Sequence, residues 1–214
     1  MINIVFIFSY VFLIIILSIV LKKVFPNNKE LFRKIIHIGI GPLIPLAKYL
    51  EIEFSLAQYI AGGISILILI NYIFKLIPTI EDIDRKSFGT LFYCLSLFIL
   101  ITFYWDKDPW ALTAGYFIMA FGDGFAGLLG KNFKSKSWII FNQKKSLLGT
   151  SAMFFFSFLI LIILGATGKF DFNFYYFLIA LISTALEQIS ILGLDNLSVP
   201  ITAAYTFNLF VTKL

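Results

Sequence analysis

Three carboxylates stand in stretches of this chain that are otherwise nearly free of charge: Asp123 in Gly122-Asp123-Gly124, Glu187 in Leu186-Glu187-Gln188, and Asp195 in Leu194-Asp195-Asn196. An acid at the centre of a membrane-spanning helix costs roughly 2.5–3.5 kcal/mol on insertion scales, so one found there marks a function. Carboxylate oxygens suit a hard cation such as Mg²⁺, which needs only one or two of them and keeps several waters.

Cations accompany the acids at helical spacing. Arg33, Lys34 and His37 share one helix face, which Gly41 continues. Asp84-Arg85-Lys86-Ser87-Phe88-Gly89 with Tyr93 repeats the scheme, setting a phenol and a close backbone approach beside a guanidinium. Lys144-Lys145-Ser146-Leu147-Leu148-Gly149-Thr150 opens an apolar helix, where free N–H groups, the helix dipole and two ammonium groups favour a phosphate. It lacks the Gly-x-x-x-x-Gly-Lys-Ser/Thr pattern of a P-loop. Each group also has a structural reading. Basic clusters beside helices fix topology, and glycines such as Gly127 and Gly130 serve helix packing. Asp195 or Asn196 can cap a helix whose first turns hold Pro200. The stretch 131–145 holds no acid, and its lysines also suit anionic lipid headgroups.

These residues are carried by elements that only a bilayer can accommodate. Of 214 residues, 60% are hydrophobic and 14% charged, against about 25% charged in a soluble domain. Apolar segments long enough to span fall at 2–21, 35–50, 55–77, 89–105, 109–130, 146–165, 172–194 and 197–211. The second holds Pro42 and Pro45 and the last Pro200, so either can be broken or re-entrant. The expectation is an all-α, polytopic bundle of seven or eight helices forming one membrane-embedded domain over 1–214. The first segment reads as a retained helix, with no basic region before it and no cleavage site after it. One cysteine, Cys94, excludes an intrachain disulfide, and one histidine excludes a His-rich metal site.

Charge asymmetry orients the bundle. Of the 17 Lys and Arg residues, all but Lys48, Lys107, Lys169 and Lys213 fall in the connections after the first, third and fifth segments. Those connections are expected in the cytoplasm and the N-terminus outside. The three acids, Arg33, Lys34, His37, Arg85, Lys144 and Lys145 then meet at one cytoplasmic pocket, with Asp123 and Glu187 each about two turns inside their helices. Asp123 is read as an unpaired acid. The aromatic run 154–156 reads as lipid-facing filler.

In this order, Arg33-Lys34-x-x-His37, Asp84-Arg85 with Gly89 and Tyr93, Gly122-Asp123-x-x-Ala126 with Gly130-Lys131, Lys145-Ser146-x-x-Gly149-Thr150, and Glu187 with Asp195-Asn196-x-x-x-Pro200 resemble the CTP-dependent lipid-alcohol kinases. That family includes phytol kinase, dolichol kinase and CTP-type diacylglycerol kinases, and the short chain is closer in size to phytol kinase. The resemblance implies transfer of the γ-phosphate of CTP, with Mg²⁺, to a membrane alcohol. Asp123, Glu187, Asp195 and His37 would be catalytic, the three acids also binding metal and Asp123 accepting the alcohol proton. Arg33, Lys34, Arg85, Gly89, Tyr93, Lys144, Lys145, Ser146, Gly149, Thr150 and Asn196 would hold the nucleotide. Two positions depart from the pattern: Leu148 where a Glu is expected and Lys134 where a Gly is expected. A lipid cytidylyltransferase needs similar groups. A transporter would gather charge near the midplane in repeated broken helices, which this chain does not suggest.

Overall fold

The computed structural model describes residues 2–25, 29–76 and 87–213. In order, the described elements are α1 (Ile2–Val24), α2 (Lys29–Gly39), α3 (Leu43–Tyr49), α4 (Phe54–Phe74), α5 (Gly89–Tyr104), α6 (Pro109–Phe117), a π-helical turn (Ile118–Asp123), α7 (Gly124–Asn132), the hairpin β1 (Ser137–Ile140) and β2 (Gln143–Ser146), α8 (Leu147–Gly168), α9 (Tyr175–Ile189), and α10 (Asp195–Phe207) with a second π turn (Asn208–Thr212). The all-α expectation holds, with one short antiparallel hairpin added to it.

The axis of the bundle is the continuous helical run 109–132. Ala111, Leu112, Ala114, Tyr116, Ile118, Met119 and Ala120 along it are all fully buried. Small residues admit close neighbours there: a Cβ on Gly115 would strike the Pro200 carbonyl and Ala204 of α10. Asp108 caps α6, its Oδ1 accepting from Ala111 N at 3.0 Å with Pro109 at the first helical position. Its Oδ2 accepts from Asn208 (2.6 Å) and Thr212 (2.5 Å), tying the end of α10 to the start of α6.

Four helical runs are long and apolar enough to cross a membrane: Asn3–Val24, Phe54–Phe74, Pro109–Asn132 and Leu147–Gly168. Gly89–Tyr104 and Tyr175–Ile189 are apolar but shorter. The protein is a membrane protein built of helices of unequal length, and the inequality has a local cause. The segment expected over 35–50 breaks at Ile40-Gly41-Pro42, where proline and two glycines end one helix and start another. The segment expected over 172–194 stops at Ile189. The chain then turns through Leu192 (φ 54°) and Gly193 (φ 88°) before α10 begins at Asp195. Glu187 therefore lies in the last turn of α9, nearer its end than the apolar run suggests.

Candidate active site

The central helix supplies the first acid. Its π turn widens the helix between Ile118 and Asp123, a distortion that often accompanies functional positions because it turns carbonyls away from their usual partners. His37 Nε2 lies 2.9 Å from the Met119 carbonyl, which can only accept, so the imidazole donates there. The same nitrogen is 3.3 Å from Asp123 Oδ2. Lys34, one turn earlier on α2, donates to Asp123 Oδ2 at 2.6 Å and to the Asp123 carbonyl at 3.0 Å. Lys34, His37 and Asp123 are all buried. The neighbouring glycines explain how α2 comes this close: a Cβ on Gly127 would overlap the Lys34 side chain, and one on Gly124 would overlap Ile38. The expectation of an unpaired Asp123 is thus corrected. Small residues beside it admit a helix whose lysine pairs with it.

The second acid has the same construction. Lys145 Nζ donates to Glu187 Oε1 (2.5 Å) and to the Glu187 carbonyl (2.6 Å), with both residues buried. Lys145 reaches α9 because β2 is a strand, in which successive side chains alternate between faces. Its cross-strand partner Trp138 is on that same inner face, and Trp138 Nε1 donates to Gln188 Oε1 at 3.2 Å. Gln188 Nε2 in turn donates to Glu187 Oε2 (2.7 Å) and to Thr150 Oγ1 (2.8 Å). Neighbouring Lys144 takes the opposite, exposed face and pairs with Ile139.

The third acid enters through the turn that ends α9. Phe88 N donates to the Leu192 carbonyl at 2.8 Å, and Asn196 Nδ2 donates to the Gly89 carbonyl at 2.9 Å. The starts of α5 and α10 are thereby clamped together. Asp195 N donates to Ser190 Oγ at 2.5 Å, and Asp195 Oδ1 accepts from Asn196 N at 3.1 Å. Neither Asp195 nor Asn196 is the N-cap, which is Leu194. Gly193 cannot be replaced cheaply, for it combines φ 88° with a would-be Cβ 2.6 Å from Gly89 Cα. Gly193→Ala is expected to destabilise the fold by about 1–3 kcal/mol and to displace Asp195. Thermal unfolding in detergent, read by circular dichroism, checks this; an unchanged midpoint would contradict the clamp.

Asp123, Glu187 and Asp195 each offer an oxygen such that all three lie within 4.8 Å of one another. Two full charges at that distance repel by about 3–4 kcal/mol at an effective dielectric constant of 20, so the cluster requires cations. Lys34 and Lys145 supply two. Asp195 has no ion pair with any lysine or arginine among the described residues. Among the described residues, the lysine pairs thus leave Asp195 as the one acid of the three without an ammonium partner, at the place where three hard oxygens converge.

The remaining expected residues divide. Arg33 reaches the start of α5, its Nη1 3.4 Å from where a Cβ on Gly89 would sit, so Arg33, Gly89 and Asn196 form one edge of the site. Gly149 is packed against Gly130 and the Ala126 carbonyl, holding α8 on α7. Ser146 is the N-cap of α8, accepting from Gly149 N at 3.2 Å. Tyr93 is corrected from a ligand-facing phenol to a core residue: it donates to the His37 carbonyl (3.2 Å), lies 3.1 Å from the Tyr116 hydroxyl, and stacks edge-on against the His37 ring. Lys144 is corrected likewise, since it points away from the acids. Arg85, with Asp84 and Lys86, lies outside the described residues. Of the aromatic run, only Phe155 is exposed; Phe154 and Phe156 stack on Phe158 and Phe125.

Gln188 and Trp138 were not foreseen. Gln188 directly follows the buried Glu187 on an apolar helix, and that adjacency was the available signal. The geometry makes Gln188 a positioning residue for Glu187. Gln188→Leu is expected to lower any turnover by about 10–100-fold, with a raised divalent-cation requirement that Gln188→Glu shares, since a carboxylate there cannot donate to Glu187 Oε2. A loss independent of cation concentration would make the role merely structural.

This arrangement defines a class: a helical membrane protein with a cation-paired acid cluster suited to phosphate chemistry. The chain is 31% identical over 204 residues to a phytol kinase from the cyanobacterium Synechocystis, a match covering 92% of this chain and 86% of that protein. It is 30% identical to phytol kinase 1 of Arabidopsis thaliana and 28% identical to a probable phytol kinase 2 of Glycine max, over 83% and 86% of this chain and 66% of each relative. No family profile matches the chain, and no solved structure matches it. The chain belongs to the phytol kinase family of membrane phosphotransferases.

Proposed function

We propose that this protein transfers the γ-phosphate of CTP to the hydroxyl of a membrane isoprenoid alcohol, phytol or a polyprenol, at the cytoplasmic face. The observation that carries the reading is the meeting of Asp123, Glu187 and Asp195 within 4.8 Å, two of them paired to buried lysines. Phosphoryl transfer asks little covalent chemistry of a protein. It asks for in-line positioning and for cations around the charge on the transferring group.

The donor set fits Mg²⁺. Three carboxylate oxygens within 4.8 Å of one another are the hard donors such an ion prefers. Asp123, Glu187 and Asp195 would hold the ion, whose positive charge would offset that of the phosphates. Lys34 and Lys145, released in part from their acids, would bind the equatorial oxygens, and Arg33 would hold the outer phosphates at the start of α5. Asn196 Oδ1, buried and without a partner among the described residues, offers an acceptor to the nucleotide. Asp195, the acid with no ammonium partner among the described residues, takes the hydroxyl proton in this reading. That role passes to it from Asp123, whose Oδ2 is held by Lys34. The isoprenoid tail would lie among apolar helix faces with its hydroxyl raised to the cluster. The concentration of lysines in the connections supports the cytoplasmic orientation.

Purified protein incubated with γ-labelled CTP, ATP, GTP or UTP and a panel of phytol, polyprenol and diacylglycerol tests this. Label is expected in phytyl or polyprenyl monophosphate with CTP. Transfer from α-labelled CTP instead would establish a cytidylyltransferase, and no labelled lipid from any donor would end the kinase reading.

A further inference from the structure

The β1–β2 hairpin has two faces of opposite character. The inner face carries Trp138 and Lys145 to Gln188 and Glu187. The outer face carries Ile139 and Lys144, cross-strand partners and both exposed. Exposed Phe133, Lys131, Lys134 and Lys136 lie on the segment leading into it. At the tip, Phe141 (φ 46°) and Asn142 (φ 60°) form the two-residue turn in which both centres are left-handed. Such turns prefer Asn-Gly, because a bulky residue there is strained. This chain instead displays an aromatic ring at the tip, 67% exposed, beside Ile139 at 74%.

Apolar side chains ringed by lysines, with no acid between Asp123 and Asp171, complement one partner: an anionic lipid surface. Apolar groups enter the interface while ammonium groups meet headgroup phosphates. The flanking runs Pro109–Asn132 and Leu147–Gly168 are membrane-length helices, which places the hairpin where such a surface lies. We propose that the outer face and tip of this hairpin seat on anionic headgroups, and that this contact holds the inner face, with Lys145, against Glu187. The seating is argued from the hairpin alone; its consequence for turnover rests on the kinase reading.

A fluorophore at Asn142→Cys in a Cys94→Ser background reports the seating directly, since Cys94 is the one native cysteine. In nanodiscs, adding phosphatidylglycerol to phosphatidylcholine is expected to shift its emission to the blue and to permit quenching by bromolipids. Lys134→Gln with Lys136→Gln is expected to weaken that response about fivefold per lysine, as is raised salt. Emission unchanged by anionic lipid overturns the proposal. So does a shift produced by soluble CTP in phosphatidylcholine alone, which would give the basic face to the nucleotide. Turnover, measured in parallel, is expected to rise with anionic lipid in the parent and not in the double variant. If no lipid alcohol is phosphorylated but the blue shift stands, the kinase reading fails and the docking remains.

Discussion

Asp123→Asn is expected to lower phosphoryl transfer by about a thousandfold or more and to weaken the fold at the same time. Both effects follow from the geometry. Asp123 brings a hard oxygen to the acid cluster, and losing one such electrostatic element costs about 10²–10³ in rate even where nothing else moves. Its Oδ2 also receives Lys34 Nζ at 2.6 Å, with the lysine 3% exposed. Removing one partner of a buried ion pair typically costs about 3–5 kcal/mol, because the other charge remains buried and uncompensated. Loss of activity in this variant alone would therefore be ambiguous. The double variant Lys34→Met with Asp123→Leu separates the two effects. Replacing both partners by apolar groups of similar size is expected to recover most of the stability, since such replacements are often neutral or stabilising. It is expected to remain inactive. Thermal unfolding in detergent beside the labelled-CTP assay reads both, and turnover in the refolded double variant would remove Asp123 from the reaction.

Asp195→Asn is expected to do the reverse: little to stability and about 10²–10⁴ to kcat, the range for a positioned acid or base. Asp195 has no ion pair among the described residues, and the bond its Oδ1 accepts from Asn196 N can be accepted equally by an amide oxygen. The substitution leaves no buried lysine unpaired, so the unfolding midpoint is expected to stay within the small range of mild surface changes, about 0.5 kcal/mol. Comparable losses of stability in Asp195→Asn and Asp123→Asn would mean that both acids are structural. Comparable activity in Asp195→Asn and the parent would move the proton acceptor to another group.

Much of this site was legible because charge is conspicuous in an apolar chain. Asp123, Glu187 and Asp195 stood out for their cost in hydrocarbon, and they do converge. The i, i+3 spacing of Lys34 and His37 put both on one face, and both meet Asp123. Spacing could not say which lysine partners which acid. Lys144 and Lys145 are indistinguishable as adjacent residues before a helix. Only the strand at 143–146, too short and polar to announce itself by hydrophobic pattern, turns one inward and the other out. Tyr93 failed for a related reason. A face shared with Gly89 fixes direction around a helix but not depth, and at its depth the phenol meets His37 and Tyr116.

By itself the sequence determined that the protein is helical, that it belongs in a membrane, and which ionisable residues are too costly there to be incidental. Those follow from composition and from energies that act residue by residue. The tertiary structure decided the pairings: Lys34 with Asp123 through the glycines that admit α2, Lys145 with Glu187 through a hairpin, and Asp195 left without an ammonium partner among the described residues. Pairing depends on how closely two backbones approach and which way a strand is turned, and these are fixed by packing among segments far apart in the chain.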